Sequence, residues 1–259
     1  MVSWERVRKS RHVSGDKVAA KQRLKVGDLE VAAIDPFVRD TQYIYDEIFV
    51  GRVYQHAKFK IPEQSTIIDV GANIGLSAIW FAQRYRPRTL LAYEASPTTY
   101  EYLLDNVAQH VDTKVTTAKC FNLAVSDDAK QVLELHQPPW TSGRSTILKG
   151  ATLSWVDELR DQGDLITHKV PSTTVSQEMA KHGLATVDLL KIDVEGYFMQ
   201  VLQGIASVDF ARIRNIALEA EYVQELGQSG EQICALLRGH GYTVEAHDAA
   251  QILIYAWRD

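Results

Sequence analysis

Only two cysteines, Cys120 and Cys234, occur in 259 residues. Two thiols cannot build a disulfide framework or a thiolate metal centre, so the fold is expected to rest on its apolar core, in a reducing compartment. No apolar run approaches the roughly 20 residues that a bilayer crossing needs. No charged leader with an apolar stretch opens the sequence either, and a soluble, cytoplasmic protein with no membrane partner is expected. Basic charge is also short: 28 Lys and Arg stand against 33 Asp and Glu, a net charge of −5. A non-specific nucleic-acid binder needs a basic face, so nucleic acid is not an expected partner. The cationic stretch from Arg6 to Arg11 reads as a solvated terminus. Internal repeats and low-complexity tracts are absent.

What is present is a globular balance, 46% hydrophobic and 24% charged, in a chain long enough to bury a core without staples. At about 150 residues per domain there is room for one large domain or two small ones. The expected organisation is an N-terminal extension over 1–60 and one α/β domain over 61–259. In the extension, Leu29 to Ile34 suits a strand closed by Asp35-Pro36. Asp40 to His56 sets Tyr45, Ile48, Phe49 and Tyr54 at helical spacing. That predicts an amphipathic helix over the mouth of the following domain, a lid or a homodimer element.

Beyond Pro62 the pattern alternates. Thr66 to Val70, Thr89 to Tyr93, Cys120 to Val125, Leu189 to Ile192 and Asn215 to Leu218 read as strands. Leu76 to Tyr85, Pro97 to His110 and Glu231 to His240 read as helices. Tyr242 to Ala246 and Ile252 to Trp257 close the chain as a hairpin-like pair. Near-continuous apolar strands alternating with helices predict a mostly parallel, buried sheet with helices on both faces and an antiparallel C-terminal edge. The segment from His136 to Pro171 breaks the rhythm with Pro138-Pro139 and Ser142-Gly143, and one short helix is expected near Trp155 to Arg160. An insertion of this length tends to carry function.

Three motifs carry chemistry. Asp69-Val-Gly71-Ala-Asn73-Ile-Gly75 follows a strand and opens a helix. Gly71 permits a sharp turn with close approach to a ligand, and Gly75 permits tight helix–strand packing. A dinucleotide fingerprint would put glycines at 71, 73 and 76, which hold Gly, Asn and Leu, so the spacing suits an S-adenosylmethionine loop better than a nicotinamide site. Glu94 ends the second strand in Tyr93-Glu94-Ala95-Ser-Pro97, where an acid about 20 residues past the glycine turn can hold ribose hydroxyls. Lys191-Ile-Asp193-Val-Glu195-Gly196 ends the fourth strand, the edge at which open α/β sheets bind ligands. Charges at alternating positions there face one side and need each other or a ligand; a purely structural Lys191–Glu195 pair is the plainer alternative.

With these motifs in order, the sequence resembles the FkbM-like family of S-adenosylmethionine-dependent methyltransferases. The resemblance runs from about Asp46 to Gly204 and rests on Glu47-Ile-Phe-x4-Tyr54, Thr66 to Gly75, Tyr93 to Pro97, Asn122-Leu-Ala-Val-Ser-Asp127, Asp188 to Gly196 and Val201-Leu-x-Gly204. It implies a Rossmann-like class I methyltransferase fold with a seven-stranded sheet. It also implies methyl transfer to a hydroxyl of a natural product such as a polyketide, sugar or peptide-type acceptor. Asp69, Gly71, Asn73, Gly75, Glu94, Ala95 and Asp193 would hold the cofactor, with Asn122 to Ala124 lining the adenine. Two positions depart from the family pattern: Phe198 stands where an acid is usual, and Thr174-Val-Ser176 replaces Thr-Leu-Asp.

An alcohol is a poor nucleophile until its proton is taken, so a base or a metal is needed beside it. Asp193 is the first candidate, with Lys191 and Glu195 orienting it and Glu219 next. Asp193 and Glu219 end neighbouring strands and together could hold Mg²⁺. His136 and His168 are rival bases, and Trp140 and Trp155 could shape an acceptor pocket. The acceptor is expected to be a small hydroxylated molecule, free or tethered to a carrier. Transfer to nitrogen is the alternative, weakened because Val-Glu-Gly follows Asp193 where an N-methyltransferase often has Pro-Pro-aromatic. A nicotinamide oxidoreductase and a non-catalytic binding module are the remaining readings.

Overall fold

The computed structural model describes residues 22–33, 39–139, 141–148, 165–223, 225–248 and 252–258. The chain starts there with a hairpin, β1 (Gln22–Val26) and β2 (Leu29–Ala33), paired antiparallel across Gly27. The helix expected up to His56 is shorter. α1 (Arg39–Tyr45) runs into a π-helical turn at Asp46–Gly51 and stops at Arg52, which is left-handed at φ 56°.

The main sheet is built from β3 (Thr66–Val70), β4 (Thr89–Tyr93), β5 (Thr117–Phe121), β9 (Leu189–Asp193), β10 (Asn215–Ala220), β11 (Thr243–Asp248) and β12 (Ile252–Trp257). Its seven strands lie in the order β11-β12-β10-β9-β3-β4-β5. Five are parallel, and β12 is inserted antiparallel between β10 and β11. The helices between them are α2 (Leu76–Tyr85), α3 (Pro97–His110), α4 (Val175–Lys181), α5 (Phe198–Gln203), α6 (Ser207–Phe210) and α7 (Gly230–Gly239). Their starts follow local chemistry. Ser96 caps α3 by accepting from the Thr99 N–H with Pro97 in the first turn, and Ser229 with Gln232 forms a capping box on α7.

Strand periodicity splits the core into two layers. On one face Ile68, Val70, Leu190 and Ile192 pack with Phe198, Val201 and Leu237. On the other, Ile67, Leu90 and Leu189 pack with Ile79 and Phe81 of α2 and Leu103 of α3. Val26, Val31, Ile48 and Tyr54 belong to that second layer, so the N-terminal elements share the core of the sheet.

The strand expected from Cys120 to Val125 is split. The main sheet keeps β5 to Phe121, and β6 (Ala124–Val125) pairs instead with β8 (Ile166–Thr173), which also pairs antiparallel with β7 (Val132–Gln137). The Asn122 amide bonds to the Glu94 and Ala95 carbonyls and diverts the chain between the two sheets. The excursion thus starts at β6, earlier than the turn residues at 136–171 suggest. The short helix expected near Trp155 lies outside the described residues. Among the described residues no helix is long and apolar enough to cross a membrane.

Candidate active site

The order of strands reverses between β3 and β9, where the chain leaves in opposite directions and opens a crevice beyond the strand ends. After β3 the backbone turns through Gly71, at φ 76°, and the N–H groups of Gly71 and Ala72 donate to the Tyr93 carbonyl at 3.0 and 2.9 Å. A Cβ on Gly71 would stand 1.7 Å from the Asp193 carbonyl oxygen, so the end of β9, not a ligand, demands glycine here. At Gly75, φ 94°, a Cβ would meet Leu103 Cδ1 at 2.9 Å. Its packing partner is therefore α3 rather than the strand.

Asn73, left-handed at φ 50°, donates its N–H to Glu94 Oε2 at 2.9 Å, and the Ser96 N–H donates to Oε1 at 2.8 Å. Burial pushes the Glu94 carboxyl up to about 7 against the opposing pull of these two donors. Lys191 is buried with its Nζ 2.6 Å from the Gly71 carbonyl oxygen, 3.2 Å from Asp69 Oδ1 and 3.4 Å from Asp193 Oδ2. Burial opposes its charge, but the Asp69 and Asp193 carboxylates outweigh that and hold its pKa above the usual lysine value. Ser77 Oγ donates to the other oxygen of Asp69 at 2.6 Å. Tyr54 donates its hydroxyl to Asp193 Oδ2 at 2.9 Å, and burial followed by the Asp193 charge pushes its own pKa well up.

Beyond Asp193 the wall is acidic. Glu195 is left-handed at φ 49°, its carbonyl accepts from Thr146 Oγ1 at 2.8 Å, and its Oε2 accepts from the Tyr222 hydroxyl at 3.1 Å. Burial, then Glu221 and Asp193, raise its carboxyl well above the ordinary range. Glu219 sits opposite Asp193 in the β10–β9 register. Burial, then Asp193, Glu221 and Glu47, raise it to about 9, so it carries a proton at neutral pH.

Gly71, Asn73, Glu94, Lys191, Asp193, Glu195, Glu219 and Tyr222 line one cavity of about 740 Å³. Tyr43, Glu47 and Tyr54 from the N-terminal segment and Thr141, Arg144 and Ile147 from the excursion complete its walls. Of the residues singled out in the sequence, Gly71, Asn73, Glu94, Ala95, Ala124, Lys191, Asp193, Glu195 and Glu219 line it. Asp69, Gly75 and Asn122 stand behind the wall and hold others in place. His136 and His168 lie on β7 and β8, outside the lining, with His136 Nδ1 3.2 Å from Thr167 Oγ1. Trp140 and Trp155 fall outside the described residues.

Sequence reasoning missed Tyr54 as a site residue, along with Thr146, Glu221 and Tyr222. Tyr54 reads in the sequence as one more apolar helix position, and it meets Asp193 across 139 residues. The Mg²⁺ expectation gains no support. Among the described residues, the only three ligating side chains whose atoms lie within 4.8 Å of one another are His56, Glu245 and His247.

A doubly wound sheet ending in the inserted antiparallel strand, with a glycine turn after its first main strand and an acid closing the second, is the class I methyltransferase fold. The chain belongs to the FkbM methyltransferase family, whose domain matches residues 69–244. It is similar to 31-O-demethyl-FK506 methyltransferase FkbM of Streptomyces tacrolimicus, 32% identical over 226 residues, covering 80% of this chain and 84% of that one. Methyltransferase sdnD of Sordaria araneosa is 28% identical over 228 residues, 79% of this chain and 83% of that one. The AMB antimetabolite synthetase AmbE of Pseudomonas aeruginosa is 27% identical over 239 residues, which span 82% of this chain but 11% of the synthetase. The protein is a methyltransferase.

Proposed function

We propose that this methyltransferase uses S-adenosylmethionine to methylate a hydroxyl of a small natural-product acceptor, free or tethered to a carrier. The cofactor supplies a methyl group already activated on a sulfonium. The observation that carries the reading is Glu94, a buried carboxyl at the cavity wall whose two oxygens are each aimed by one backbone N–H. A carboxylate oxygen has a second acceptor site, so both remain able to accept ribose hydroxyls. Gly71 and Asn73 shape the turn beside it, and Ala95, Leu123 and Ala124 offer an apolar slot for the adenine.

The acceptor end is governed by Asp193. Its contacts with Tyr54 and Lys191 both fall on Oδ2, which leaves Oδ1 for the acceptor proton. Glu219 holds its own proton at neutral pH and is the weaker candidate for base. Family membership supports methyl transfer, and the relative named for a 31-O-demethyl substrate supports oxygen as the atom methylated.

The test is calorimetric titration of the purified chain with S-adenosylmethionine and, separately, NADH. Micromolar binding of the sulfonium cofactor alone is expected. Preferential binding of NADH would overturn the reading.

A further inference from the structure

At the β11 edge of the sheet, outside the cavity lining, three side chains from two distant segments converge. Glu245 and His247 are two apart on β11 and therefore share one face of the strand. His56 arrives over that face from the segment after the π-helical turn. His56 Nε2 lies 3.3 Å from Glu245 Oε2, and His247 Nε2 lies 3.0 Å from Glu245 Oε1. All three ligand atoms fall within 4.8 Å of one another, and none of the three residues lines the cavity.

We propose that His56, Glu245 and His247 form a binding site for a divalent transition-metal ion of the Zn²⁺ type. Two imidazoles and one carboxylate are a ligand set that Zn²⁺ and its neighbours take, whereas Mg²⁺ and Ca²⁺ prefer oxygen alone. With metal–ligand bonds of about 2.0–2.2 Å at tetrahedral angles, neighbouring ligand atoms stand about 3.3–3.6 Å apart. The separations of 3.3 and 3.0 Å from the two Glu245 oxygens are near that edge, and all three ligand atoms lie within 4.8 Å, so small side-chain shifts bring them around one ion.

The site is also oriented from outside. His56 stacks on Tyr255 with ring centroids 4.8 Å apart and leans on Trp257 at 5.0 Å, and Phe59 meets it edge-on at 5.4 Å. Tyr255 in turn donates its hydroxyl to the Val53 carbonyl at 2.6 Å. His56 is therefore fixed before any ion binds, while Glu245 and His247, about half exposed, give the ion a path from solvent. Tyr54, which donates to Asp193, is two residues from His56, so an ion here would tie the tyrosine-bearing segment to β11.

The test is calorimetric titration of tag-free, EDTA-treated, full-length protein with Zn²⁺ chloride. One ion per chain is expected, at micromolar affinity or tighter. His247→Ala, at a half-exposed strand position that leaves the core intact, is expected to weaken binding at least about tenfold, and His56→Ala to do the same. Saturating Zn²⁺ should raise the thermal midpoint of the wild type by roughly 5 °C and leave that of His247→Ala unmoved. Absence of stoichiometric binding, or wild-type affinity in His247→Ala, would overturn the proposal.

Discussion

Asp193 stands between a cation and a phenol, and this placement governs what its removal should do. In Asp193→Asn, Lys191 keeps Asp69 and the Gly71 carbonyl, so the pocket stays neutralised and cofactor affinity is expected within a few-fold of wild type. Turnover, if Asp193 takes the acceptor proton, should fall by about two orders of magnitude or more. Single-turnover kinetics beside a binding isotherm separate the two, and full activity would remove Asp193 from the chemistry. Glu94→Ala should do the reverse. It withdraws the acceptor of the Asn73 and Ser96 N–H groups, and weaker cofactor binding, by about tenfold or more, should dominate the loss. An unchanged dissociation constant would count against the ribose assignment.

The elements were legible where local signals were strong. Both termini of α2 and α3 fall where the sequence placed them, because the glycine turn and Arg86 bound α2 while Ser96 and Pro97 set the start of α3. At α7 the capping box satisfies two donors that the helix leaves unpaired. Ser229→Ala is therefore expected to cost about 1 kcal/mol, read as a shift of the denaturation midpoint, with cofactor affinity unchanged. A wild-type midpoint would show that packing of Ile233 and Leu237 alone holds this helix. The elements that were misread are those whose course is decided by a distant partner. β5 ends at Phe121 because Asn122 turns its amide back onto Glu94 and Ala95, and the segment after Gly51 leaves helical geometry while Tyr54 reaches Asp193.

Across the whole molecule, the acidic wall makes stability depend on pH. Glu219 is raised from 4.5 to about 9 and Glu94 to about 7, with burial the first cause of both. The folded state holds these protons more tightly than the unfolded chain does. Stability without ligand should accordingly decline as pH rises from about 4.5, through about 7 for Glu94 and on through about 9 for Glu219, at up to about 1.4 kcal/mol per pH unit for each group within its own window. Glu219→Gln should flatten that decline and raise the thermal midpoint at pH 9 relative to wild type. Parallel midpoint curves for the two proteins between pH 5 and 9 would refute the assignment.

What the sequence determined by itself was the sheet's parallel core, its glycine turn and the identity of the charged motif ending β9. All three depend on signals within a few residues: apolar runs bounded by turn chemistry, and a backbone position open only to glycine. The tertiary structure alone decided that Gly71 is forced by the Asp193 carbonyl and that Asn122 supports Glu94 from behind the wall. It alone brought Tyr54 to the Asp193 carboxylate and gathered Glu195, Glu219 and Glu221 on one wall. Those relations join residues far apart in the chain. Shared burial makes their charges interact strongly, and no spacing along the sequence encodes a distance that only packing sets.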